Sequence, residues 1–242
     1  MSLFSSFTTK YRFHLASSST VSAAGLLYAL SQGTRRQSTS AGSSKFILRE
    51  PPRTAPRQVP TPLAFVSAST WDKESDRGMT ALSSMFAEKG FMCMEIDLSS
   101  PRQDGTQRSS TELMAHFEKE LASHLRFGTV APGPFPPIIF SRSHGALITQ
   151  TYISSHPASG LILMSPPPSN ASAEGSLLPT PLKEFDYEVK FPVAVVGTKG
   201  ELERIKTVGR LGSDAVDIIE VESLDGQEAF VKIDTLLDDW GV

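Results

Sequence analysis

The sequence predicts an α/β domain built on a mostly parallel sheet of about six strands, with helices on both faces. Two observations carry that expectation. From residue 62 onward short apolar runs alternate with segments of helical periodicity, the order that produces a parallel sheet. The runs are continuously apolar rather than alternating, as strands buried on both faces require.

The elements follow in order. A first strand, "PLAFVSA", is followed by a helix within 77–89, then by strand "FMCMEIDL" and helix "STELMAHFEKELASHL". Strand "PIIFS" leads into helix "GALITQTYISS", and strand "GLILMS" comes next. The second half supplies strand "PVAVVG", helix "ELERIKTVGRL", strand "VDIIEV" and a closing helix "QEAFVKIDTLLDDW". Right-handed crossovers between parallel strands place such helices on both sides of the sheet.

Ahead of these elements the composition changes. Six of the 23 basic residues and none of the 26 acidic ones fall within the first 49 positions. That leader is rich in Ser and Thr, and Phe4, Phe7, Tyr11 and Leu15 fall along one helical face beside Lys10 and Arg12. A cationic, hydroxylated, acid-poor amphipathic leader is how a mitochondrial presequence is built. Residues 1–50 are therefore expected to direct the chain to mitochondria, the matrix in particular. Residues 51–62, "PPRTAPRQVPTP", hold five prolines and are expected to form an extended linker, with the folded domain over 63–242. No membrane span is expected, because the longest apolar candidate, "VSAAGLLYAL", is about half the ~20 residues a spanning helix needs. The single cysteine, Cys93, excludes an intramolecular disulfide framework and reads as a buried thiol.

Chemistry concentrates at "IIFSRSHGALITQ", where a buried strand breaks at Ser141-Arg142-Ser143-His144-Gly145 and a helix starts at once. A tight strand-to-helix turn pushes a serine clear of the backbone, and small residues two positions either side let the chain pack that closely. This segment resembles the nucleophile elbow of the α/β-hydrolase fold, with Ser141 in place of the usual first glycine. "GFMCMEIDLSSPRQDG" and "FPVAVVGTKGE" resemble two further strand ends of that family, so the likeness covers roughly residues 62–242. The resemblance implies Ser143 as candidate nucleophile. It also implies an oxyanion hole formed by the backbone N–H of His144 and one from the loop after the first strand, with Ser69 the candidate there. The first two strands of the larger family look absent, and the interval between "LMSPPPS" and "EVKFP" is too short for a substantial lid.

A serine hydroxyl needs a general base, usually a histidine oriented by a carboxylate. The resemblance assigns the histidine to the segment after "VDIIEV", where Gln227 stands instead. The five histidines are His14, His116, His124, His144 and His156, and none lies in the last 86 residues. The acid position is occupied by Gly200, with Glu201 one place further on. Glu201 is a candidate acid, and equally a first-turn helix residue favoured by the helix dipole. His144 adjoins Ser143, but neighbouring side chains at a turn into a helix are expected to diverge.

No metal site or cofactor is expected. "SASTWDKES" after the first strand has no phosphate-binding glycine loop, and the acidic balance beyond residue 49 gives no footprint for nucleic acid. Two functions remain. One is a hydrolase-derived protein that has lost the triad and binds a protein partner or small acyl ligand. The other is a divergent serine hydrolase, an esterase or thioesterase, using Ser143 with a base from outside the usual position.

Overall fold

The computed structural model describes residues 36–39, 44–101, 108–128, 135–188, 190–208 and 210–242. Most of the basic leader, 1–35, lies outside the described residues.

Eight strands are present among the described residues: β1 (Arg36–Thr39), β2 (Lys45–Arg49), β3 (Val59–Ser67), β4 (Phe91–Asp97), β5 (Ile138–Arg142), β6 (Gly160–Met164), β7 (Val193–Gly197) and β8 (Asp217–Glu220). They form one sheet in the order β1-β2-β4-β3-β5-β6-β7-β8. The six strands from β3 to β8 are mutually parallel, matching the expected number. Among the described residues five α-helices pack on them: α1 (Met79–Lys89), α2 (Ser110–Gly128), α3 (Gly145–Ile153), α4 (Lys199–Val208) and α5 (Gln227–Asp239).

Burial follows the two-residue period of a strand. Ala64 and Val66 of β3 face a core shared with Phe117 of α2, Leu147 of α3 and Leu202 of α4. Leu63 and Phe65 face the opposite core, with Phe86 of α1 and Phe230 and Ile233 of α5. Both faces are covered, which is why β5, β6 and β7 are buried along their whole length.

The start of the fold corrects the expectation from sequence. The sheet begins before the proline stretch, because β2 pairs antiparallel with β4, from Lys45 opposite Asp97 to Arg49 opposite Cys93, and β1 pairs with β2. The two strands that looked absent are thus present, and residues 51–58 are a connection within the domain. Val59 to Pro62 already belong to β3, but Pro60 and Pro62 have no N–H to donate. Pairing with β4 accordingly shifts register between Val59 and Leu63. Arg49 of β2 also joins Glu95 of β4 in a largely buried ion pair, with Ser83 of α1 bonding the same carboxylate.

Candidate functional site

β5 ends at Arg142 and α3 begins at Gly145, so Ser143 stands at the carboxyl edge of the sheet, where sites of α/β folds collect. Its backbone is left-handed, φ 52°, a conformation that costs a non-glycine residue roughly 1–2 kcal/mol. The turn is held by the Ser143 N–H donating to Met164 O at 2.9 Å and by the buried Ser141 and Thr149 hydroxyls 2.8 Å apart. Gly145 packs closely here: a Cβ there would lie 3.3 Å from the Ser75 side chain, a tight contact, and 3.7 Å from Val66 O. These features carry the elbow the sequence predicts.

The left-handed turn brings Ser143 and His144 together. Ser143 Oγ is 3.2 Å from His144 Nδ1, where the sequence led to the expectation of diverging side chains. That expectation assumed helical side chains, whereas Ser143 is not helical. His144 Nδ1 is also 3.4 Å from Asp72 Oδ2. A serine–histidine–carboxylate relay uses the two ring nitrogens separately, one toward serine and the other toward the carboxylate. Here the same nitrogen faces both.

Asp72 lies in the loop after β3 and is 8% exposed. Its Oδ2 accepts the His144 backbone N–H at 3.0 Å, and its Oδ1 accepts the Glu74 N–H at 3.1 Å. Burial opposes its ionisation, but hydrogen bonds from the His144 and Ser143 side chains and from the His144 and Glu74 backbone outweigh that and hold the carboxyl below its ordinary range. The amide that would stabilise an oxyanion therefore already has a carboxylate as acceptor.

The second expected donor is occupied in the same way. The Ser69 N–H donates to Asp97 Oδ1 at 2.8 Å while the Ser69 hydroxyl donates to Oδ2 at 2.7 Å. In the rest of this loop the Ala68 N–H donates to Ser75 Oγ, and the Trp71 and Asp72 N–H groups both donate to Ala68 O.

Glu201 and Gly200 lie in the first turn of α4. The Glu201 carboxylate accepts the Thr198 N–H and hydroxyl, each at 2.8 Å, as the acidic residue of a capping box does. Burial opposes its ionisation, and the hydrogen bonds from Thr198 together with the Arg142 charge more than offset it, so the carboxyl titrates below its ordinary value. Gly200 is exposed, with nothing within 4 Å of an added Cβ. Gln227 is exposed at the start of α5.

The loop before Gln227 is fastened by a pair that sequence reasoning missed. Arg142, with a side chain 8% exposed, donates to the Asp225 carboxylate and, at 3.0 Å, to Arg77 O. Arg77 Nη2 reaches the same carboxylate at 2.9 Å. The Arg142 hydrogen bond, reinforced by both guanidinium charges, holds the Asp225 carboxyl low against its partial burial. A charged residue ending an otherwise apolar strand was the available signal.

Residues 166–188 and 190–192 carry one short 3-10 helix, Asn170–Ala173, and an isolated bridge between Glu174 and Leu178. The segment is tied down by Ser110 to Thr180, by Trp71 Nε1 to Leu177 O at 3.2 Å, and by Tyr187 to Gln150 at 3.2 Å. His116 and His124 stand apart on α2, where His124 stacks on Phe46 with ring centroids 5.9 Å apart.

Solved structures match this arrangement over nearly the whole chain. A thermophilic esterase from Thermogutta terrifontis superposes with a TM-score of 0.58 at 13% identity, covering 88% of this chain and 96% of that one. The chain has the α/β-hydrolase fold. A sugar hydrolase from Lactococcus lactis gives a TM-score of 0.52 at 11% identity over 86% and 97% of the two chains. A cold-adapted esterase from an Arctic intertidal metagenomic library gives 0.53 at 15% identity over 85% and 91%. No family model matches the sequence, and no curated protein does.

Proposed function

We propose that this protein is a mitochondrial member of the α/β-hydrolase architecture that binds a partner or small ligand at the elbow without hydrolysing it. The observation that carries this reading is the Asp72 carboxylate on the His144 N–H. Acyl transfer develops negative charge on the carbonyl oxygen, and the largest single contribution to its stabilisation comes from free N–H donors aimed at that position. Losing one such donor typically costs about 10²–10³ in rate. An anion in its place adds repulsion to that loss. Gln227, where the family has histidine, offers an amide that cannot accept a proton as imidazole does, and Glu201 is engaged as a helix cap.

The Ser143–His144 contact at 3.2 Å favours a second reading, a divergent esterase or thioesterase with His144 as base. It ranks behind the first because the nitrogen that would take the proton is not oriented from its other side, and because the oxyanion position is filled. Labelling with a serine-reactive fluorophosphonate separates the two. The binding reading expects wild-type protein to label no faster than Ser143→Ala; rapid labelling confined to Ser143 would select the hydrolase. The mitochondrial assignment rests on the acid-free leader, and a fluorescent reporter fused to residues 1–50 is expected to enter mitochondria. Reporter left in the cytosol would remove that part of the proposal.

A further inference from the structure

We infer that Asp72 is an autoinhibitory latch: its carboxylate is an internal ligand on an intact anion site of the elbow, and an external carboxylate binds there once Asp72 lets go. The inference rests on the reading of the elbow as a binding site and deepens it by naming what closes the site and which ligand chemistry takes its place.

The occupant stands where a ligand oxygen would. Asp72 Oδ2 accepts the His144 N–H at 3.0 Å, inside the range of about 2.7–3.1 Å at which backbone donors hold an oxyanion. It also lies 3.4 Å from His144 Nδ1, the nitrogen that is 3.2 Å from Ser143 Oγ. An oxygen at this point therefore meets both the amide and the ring beside the serine. Burial opposes ionisation of Asp72 and the hydrogen bonds around it prevail, so at neutral pH the occupant is an anion.

The contact joins two parts that each have bonds of their own. On one side the Asp72 N–H donates to Ala68 O at 2.8 Å, Asp72 O accepts the Ser75 N–H at 3.1 Å, and Ser75 Oγ accepts the Ala68 N–H at 3.0 Å. Asp72 Oδ1 caps the 3-10 turn Lys73–Ser75 through the Glu74 N–H. All four bonds lie within residues 68–75. On the other side the elbow is fixed by the Ser143 N–H on Met164 O and by the Ser141 and Thr149 hydroxyls. Neither set uses Asp72 Oδ2, so its bond to His144 is separable from both folds. Rotating one side chain breaks it and exposes an amide whose direction the backbone at the start of α3 already sets. The charge-assisted bond lost by Asp72 is the one a competing carboxylate makes.

The test uses isotopically labelled full-length protein and follows the backbone amide of His144 by NMR as butyrate is added, with butyramide as the same chain without the charge. Asp72→Ser keeps an oxygen to cap the Glu74 N–H but is too short for His144, and Asp72→Asn keeps the shape and removes the charge. Asp72→Ser is expected to bind butyrate with a roughly millimolar dissociation constant, the strength of one charge-assisted contact, and at least about tenfold more tightly than wild type. Asp72→Asn is expected to fall between the two. Butyramide should bind Asp72→Ser at least about tenfold more weakly than butyrate does, because it lacks the charge. If Asp72→Ser does not fold, Asp72→Asn decides; if neither folds, the contact is structural and the latch is overturned. Butyrate bound by wild type as tightly as by a folded variant, or butyramide bound as tightly as butyrate, would overturn it as well. Ser143-dependent ester hydrolysis by wild type would instead defeat the non-hydrolytic reading of the elbow, and it is measured separately.

Discussion

Arg142→Met tests how the segment that holds the histidine in related folds is attached here. Methionine keeps most of the volume and removes the guanidinium, so the loss is electrostatic rather than a cavity. Breaking a buried pair by removing one partner costs about 3–5 kcal/mol. Asp225 keeps Arg77 at 2.9 Å, and its side chain is 32% exposed, so water and Arg77 recover part of that. Arg77 O, however, loses its 3.0 Å donor. The net expectation is a destabilisation of about 2–3 kcal/mol. For a chain of this length that lowers Tm by about 5–10 °C. Thermal melts followed by circular dichroism, with urea unfolding for the free energy, provide the assay. In a double-mutant cycle Arg142→Met and Asp225→Asn should couple by at least about 1 kcal/mol. Strict additivity, or a Tm within about 1 °C of wild type, would refute the idea that this pair fastens the loop.

Asp225 and Glu201 both titrate low in the folded state, so between their folded and ordinary values the unfolded chain binds more protons and stability rises with pH. Their contribution is present above about pH 4 and lost as pH falls through the folded values; Asp225→Asn should flatten the fall in urea midpoint between about pH 5 and pH 2, and an unchanged slope would contradict the assignment. Cys93 is fully buried, and burial raises its thiol far above the usual range, so iodoacetamide should leave native protein unmodified and alkylate it fully in denaturant; fast native alkylation would contradict that burial. Gly90→Ala should destabilise by about 2–4 kcal/mol in urea titration, because φ is 111° and the added Cβ would meet Arg57 O at 1.9 Å; a neutral effect would mean the α1 terminus is not built as described.

The parallel core and the elbow were legible because their signals are local: continuous apolar runs, and small residues around Ser143. The start of the sheet was not. In β2 only Phe46, Ile47 and Leu48 are apolar, flanked by Lys45 and Arg49, and they sit inside a leader whose missing acids pointed to targeting. Pairing with β4 and β1 gives that triplet its place in the sheet. The alternative for Glu201 as a helix residue was readable, since Thr198-x-x-Glu201 is a local capping pattern. Asp72 was not, because "TWDKES" reads as an ordinary polar turn and its partner lies 72 residues away across two loops. Arg142 and Asp225, 83 residues apart, were hidden for the same reason.

Steady-state hydrolysis of p-nitrophenyl acetate and butyrate by wild type and Ser143→Ala tests most directly whether the oxyanion position beside Ser143 is filled. A filled position gives equal rates for the two proteins, at the level of general surface catalysis. A wild-type rate a hundredfold or more above Ser143→Ala, about 2.7 kcal/mol of transition-state stabilisation that depends on the serine, would contradict it.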